Sequence, residues 1–147
     1  MALIPERWDG PNQWYFVTII TKHRYPVFAD AAACESMKQA FHEAHHFYRF
    51  RMAALVILPD HWHGLIRPDD NAVIEDVVGA VKRNTLKRLG IQRSFWLPRF
   101  LDHRIRDERD FENHVQYIRG NPVKHEVAET PEAYPWLFFH AHPFETR

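Results

Sequence analysis

The spacing of apolar residues along the chain changes period several times, and each change marks a predicted element. Trp14 to Thr21 (WYFVTIIT) is dense in aromatic and β-branched residues and predicts a central strand. From Ala31 to Tyr48 the period lengthens: Met37, Ala40, Phe41, Ala44, Phe47 and Tyr48 form a stripe at helical spacing, with Asp30 as N-cap. Phe50 to Leu58 ends in the unbroken run Leu55-Val56-Ile57-Leu58, as expected of a strand covered on both faces. After Pro59-Asp60 the period becomes two. Over His61 to Arg67, Trp62 and Ile66 point to one face and His61, His63 and Leu65 to the other. Pro68 to Asn71 break the chain. A second helix is predicted over Ala72 to Leu89, with Val73, Val77, Ala80, Val81 and Leu89 buried and Gly90 as its stop. Phe100 to Arg106 predicts a fourth strand. A third helix is expected from the Asp107 cap to Arg119, with Phe111, Val115 and Ile118 inward and Gly120-Asn121-Pro122 ending it. The remainder is expected to be irregular, with Tyr134, Pro135 and Trp136 closing over the core as a flap.

The order strand, helix, strand, strand, helix, strand, helix implies an α+β fold: a four-stranded, mainly antiparallel sheet of ferredoxin-like type packed with helices. Residues 1–147 should form one domain, since a chain of this size buries roughly two-thirds of its unfolded surface. Nineteen acidic and nineteen basic residues cancel, so net charge points to no partner. Their distribution does. From Lys82 to Arg106 lie Lys82, Arg83, Lys87, Arg88, Arg93, Arg99, Arg104 and Arg106 against the single acid Asp102, which predicts a face for a polyanion. Cys34 is the one cysteine, excluding an internal disulfide and fitting a reducing cytoplasm. No apolar run is long enough to span a bilayer and no signal peptide opens the chain, so a cytoplasmic protein with no membrane partner is expected.

Three sets of histidines compete for a role. His61 and His63, at i and i+2 on one strand, lie roughly 6.5 Å apart at the backbone, close enough to converge on one metal ion. His42-Glu43-Ala44-His45-His46 matches the H-E-x-x-H of zinc proteases, but His42 and His46 fall opposite the apolar stripe of their helix, and with eleven histidines a chance match is cheap. His140-Ala141-His142 lies in a proline-bounded tail and is expected at the surface. Cys34 has no paired base in sequence and is a poor nucleophile candidate. Tyr117 and Asn121, four apart, share a helix face.

Asp60-His61-Trp62-His63 after a buried strand, the Phe95 to Asp107 run, the Thr18-Ile19-Ile20-Thr21 strand and the late Tyr117-Ile118-x-x-Asn121-Pro122-Val123-Lys124 together resemble the single-tyrosine HUH transposases, in their REP-associated tyrosine transposase branch. The resemblance covers nearly the whole chain. It departs in the tail, where Trp136 is followed by Leu137, Phe138 and Phe139 instead of small polar residues. It implies a ferredoxin-like HUH domain that cuts and rejoins single-stranded DNA at REP-type hairpins, as monomer or homodimer. Tyr117 would be the nucleophile, forming a 5′-phosphotyrosine; apart from the resemblance, His114 stands one turn earlier on the predicted helix, as a helper or as an exposed surface histidine. His61, His63 and Asn121 would be metal ligands. Two imidazoles favour zinc-like ions, whereas the family implies Mg2+ or Mn2+. Lys82, Arg83, Lys87, Arg88 and Arg104 would contact DNA phosphates, and Trp96 would stack on unpaired bases or else belong to the core. The alternative is a hairpin-binding protein that has lost catalysis.

Overall fold

In the computed structural model, which describes residues 12–139, the principal elements are β1 (Tyr15–Ile20), α1 (Ala31–Phe47), β2 (Phe50–Leu58), β3 (His61–Pro68), α2 (Ile74–Leu89), β4 (Leu101–Arg104), α3 (Glu108–Lys124) and β5 (Leu137–Phe139). The strands form one sheet in the order β4-β1-β3-β2-β5, with every pairing antiparallel. Its first four members in space, β4-β1-β3-β2, arise from the β-α-β-β-α-β succession of a ferredoxin-like fold.

Strand periodicity divides the core into two layers. Val17, Ile19, Leu55, Ile57, Trp62 and Ile66 face α1 and α2, meeting Met37, Phe41, Val77 and Val81. Ala54, Val56, Leu58 and Leu65 face the other way, toward Phe111 and Ile118 of α3. Helices on both sides explain why Leu55 to Leu58 reads as an uninterrupted apolar run. Because β3 lies between β1 and β2, His61 is opposite Ile20 and Leu58, and His63 opposite Thr18 and Val56. The histidine pair is thus carried on an interior strand, on the α3 side of the sheet.

Three expectations need correction. The tail is not wholly irregular: Leu137–Phe139 pairs with β2 through Ala54, Leu55 and Val56, adding a fifth strand. Tyr134 and Trp136 do close over the sheet edge, as Tyr134 Oη donates to the Ile57 carbonyl (2.6 Å) and the Ile57 amide donates to the Trp136 carbonyl (2.9 Å). Second, α3 does not stop at Gly120 but continues through Pro122 to Lys124. The proline falls in the last turns, where it cannot donate to the Ile118 carbonyl but little helix remains to be broken, and the amides of His125, Glu126 and Val127 close the end by bonding back to Asn121, Val123 and Pro122. Third, the second helix begins at Ile74, with Val73 as its cap.

Candidate active site

The turn between β2 and β3 places Asp60 directly before the histidine pair. His61 Nδ1 lies 2.7 Å from Asp60 Oδ1, which requires the proton on Nδ1 and leaves Nε2 with its lone pair. His63 Nδ1 pairs with Thr18 Oγ1 of β1 at 2.9 Å, and the ring stacks on Phe16 with centroids 5.2 Å apart. Both imidazoles therefore use Nδ1 for support and keep Nε2 for other work, the arrangement by which outer groups orient metal-binding histidines. Their rings are 4.8 Å apart and near-perpendicular.

These two rings wall a cavity of about 630 Å3 with Phe16, Thr18, Ile20, Arg24, Leu101, Asn113, His114, Tyr117, Lys124 and His125. Tyr117 stands edge-on to His63 (5.4 Å) and to Phe16 (5.8 Å), and is 42% exposed. The phenol is thus open to the cavity and not sealed in the interior. Lys124 Nζ sits 5.1 Å from the Tyr117 ring centroid, His125 is 5.2 Å from His61, and Arg24 reaches Asp60 (3.6 Å). Asn121 is fully buried on α3 and does not itself line the cavity; its Nδ2 donates to the Tyr117 carbonyl at 2.6 Å while its Oδ1 has no partner. A carbonyl neighbour demands the NH2 on that side, so the free group is the oxygen. Two neutral imidazoles on one cavity wall, with Nε2 free of protein partners, are donors that suit a divalent cation, and the orphaned Asn121 oxygen is a donor of the right chemistry on the adjoining helix.

Burial keeps the imidazoles uncharged. It lowers His61 despite the opposing pull of Asp60, and it pushes His63 down to about 3, aided by His61, His125, Lys124 and Arg24. The unfolded chain, with His63 near its ordinary 6.5, takes up a proton before the folded one does. The contribution of neutral His63 to stability is therefore complete above about pH 6.5 and lost as pH falls toward 3. With chelator present, the urea midpoint of the protein should fall more steeply below pH 6.5 than that of His63→Gln. Parallel curves would mean that His63 is not held neutral.

The other sequence candidates are scattered. Lys82, Arg83, Lys87 and Arg88 are on α2, the layer behind the sheet from the cavity. Lys82 donates to the Leu97 carbonyl (3.0 Å), and burial lowers its pKa. Arg88 pairs with Glu43 (2.6 Å), which also engages the acid of the H-E-x-x-H match. Arg83 and Lys87 are exposed, as is Arg104 on β4. Trp96 takes the core alternative: it is 1% exposed, stacked on Phe28 (5.6 Å), with Nε1 donating to the Lys82 carbonyl, so it presents no face to a base. Cys34 is buried, its thiol pushed up to about 12 by burial and by Asp30, which makes it inert. His140 and His142 lie outside the described residues. Sequence reasoning missed Asp60, Thr18, Arg24, Lys124 and His125 as parts of the site.

A family model described as "Transposase IS200 like" matches residues 11–121. A Haemophilus influenzae protein named for the REP-associated tyrosine transposases is 32% identical over 142 residues, spanning 86% of this chain and 79% of its own length. The REP-associated tyrosine transposase of Escherichia coli is 27% identical over 128 residues, covering 86% of this chain and 76% of that protein. Among solved structures, the chain matches a REP-associated tyrosine transposase bound to a REP hairpin with TM-score 0.80 at 23% identity, covering 100% of this chain and 92% of the other. A Deinococcus radiodurans structure described as a transposase matches with TM-score 0.54 at 21% identity, covering 79% and 95%. At those identities the structural likeness speaks for the fold.

Proposed function

Because the chain belongs to the IS200-like transposase family, in its REP-associated tyrosine transposase branch, we propose that it is a metal-dependent single-stranded DNA endonuclease and strand transferase that cleaves at REP-type hairpins through a 5′-phosphotyrosine. One observation carries this reading: the Tyr117 phenol and the His61 and His63 imidazoles of a single chain wall the same cavity. The hairpin preference follows from the relative solved with a REP hairpin.

His61, His63 and Asn121 would hold Mg2+ or Mn2+, which when bound supplies Lewis acidity and orientation for the scissile phosphate. Arg24 and Lys124, basic residues that line the cavity, would attract that phosphate and balance its charge. Tyr117 Oη forms a bond to phosphorus as the bond to the 3′ oxygen breaks, and the resulting ester retains the energy needed for rejoining. With Tyr117, His61 and His63 of one chain lining one cavity, a monomer would suffice for one cleavage. With one nucleophile, a second cleavage requires either a sequential step or a second copy. Arg83, Lys87 and Arg104 would grip DNA remote from the cut, making affinity fall with salt.

The test uses a REP-type hairpin oligonucleotide carrying a single-stranded flank. With Mn2+, the full chain should cut the flank and yield a covalent complex resistant to denaturation, and a fully duplex version should yield none. Hairpin binding without cleavage in any divalent metal would point instead to a binding protein that has lost its chemistry.

A further inference from the structure

Outside the histidine pair, the described residues hold one further group of three metal-type side chains with donors within 4.8 Å of one another: His103, Asp110 and His114. His103 Nε2 lies 2.8 Å from Asp110 Oδ2, and the His103 and His114 rings stack 4.9 Å apart. His114 Nδ1 lies 2.8 Å from the Asp110 carbonyl and 3.2 Å from Asp110 Oδ1. Two acceptor oxygens around one nitrogen require that nitrogen to carry the proton, and a protonated nitrogen cannot ligate a metal. The trio is therefore an acid–imidazole arrangement.

With Nδ1 fixed as the donor, the unprotonated nitrogen of His114 is Nε2. His114 lines the cavity that Tyr117 also lines. The two stand three residues apart on α3, so their Cβ atoms are about 5–6 Å apart, and both rest against Phe16, at 4.6 and 5.8 Å. Asp110 is itself well anchored. Burial pushes its carboxyl up, but the Arg106 amide, His103 and His114 outweigh that and hold it below the usual carboxylate range. The groups facing this assembly are His103 from β4, Arg106 at 3.9 Å from Asp110, and Tyr117 on the same helix. A half-buried carboxylate that fixes the tautomer of an imidazole beside a hydroxyl nucleophile follows the logic of acid–base dyads.

We propose that His114, oriented by Asp110 and backed by His103, accepts the Tyr117 hydroxyl proton during strand cleavage. This rests on the reading of Tyr117 as nucleophile. The phenol O–H breaks toward His114 Nε2 as Oη bonds to phosphorus and the P–O3′ bond breaks. A solvent water protonates the leaving 3′ oxygen, and the imidazolium neutralises the hydroxide left behind. Rejoining reverses each transfer. A phenol, with a reference pKa near 10, needs such a base near neutrality.

Single-turnover formation of the covalent complex at saturating hairpin DNA tests the assignment. His114→Gln and His114→Ala should each be slower by about 10²-fold or more with hairpin affinity unchanged, and added imidazole should restore part of the rate in His114→Ala. His103→Gln should give a smaller loss. Rates within threefold of the wild type, or a loss with unchanged affinity that imidazole leaves untouched, would overturn the proposal. So would the loss of one bound Zn2+ equivalent in His103→Gln, which would make the trio a metal site. If the wild type forms no covalent complex at all, the proposed function fails and this inference falls with it. A normal wild type beside an unimpaired His114→Gln removes only the inference.

Discussion

Replacing Tyr117 by phenylalanine is expected to abolish covalent capture of DNA while leaving fold and hairpin affinity intact. The change deletes one oxygen. The ring that stands edge-on to His63 and Phe16 remains, so the cavity keeps its wall. Since Tyr117 is 42% exposed, stability should shift by no more than about 0.5 kcal/mol. Loss of a nucleophile is not partial: complex formation should fall by at least about 10³-fold, with no competing tyrosine to take over. Tyr15, Tyr25, Tyr48 and Tyr134 do not line the cavity, and the Tyr134 hydroxyl is already donating to Ile57. Comparing wild type and Tyr117→Phe in the same denaturing gel and the same binding titration separates chemistry from recognition.

Removing either imidazole should give the second large effect, with a different signature. His61→Ala or His63→Ala leaves the phenol in place but deletes one of two neutral nitrogen donors. Mn2+ affinity should weaken by more than about 100-fold, beyond the 10–100-fold that a group merely orienting a ligand contributes. Cleavage should fall in step and recover partly at high Mn2+. Asp60→Asn, which alters only the partner of His61 Nδ1, belongs in the lower range. Calorimetric Mn2+ titration against cleavage rate checks both. Unchanged metal affinity in both histidine variants would mean that these rings do not form the cation site.

Much of this site was legible in the sequence because strand and helix periods are local. Alternation after Pro59-Asp60 put His61 and His63 on the face opposite Trp62, and that is the face lining the cavity. Helical spacing set Asn121 one turn after Tyr117, close enough to bond its backbone carbonyl, but Asn121 is buried while Tyr117 opens to the cavity. What the sequence hid was set by distant contacts. Leu137 to Phe139 is too short to read as a strand and becomes one only by pairing with the edge of β2. Gly120 and Pro122 are strong stop signals, yet α3 runs on, and that extension brings Lys124 and His125 to the cavity. Arg24 arrives from the loop after β1, with no spacing that ties it to Asp60. Trp96 sits among basic residues in sequence, but Phe28 claims it for the core.

The most direct measurement is mass spectrometry of the covalent complex after trypsin, which should release Asp110–Arg119 by cuts after Arg109 and Arg119. A nucleotide remnant is expected on Tyr117 and on no other residue. A remnant on a different side chain, or DNA cut without any linked peptide, would contradict Tyr117 as the nucleophile.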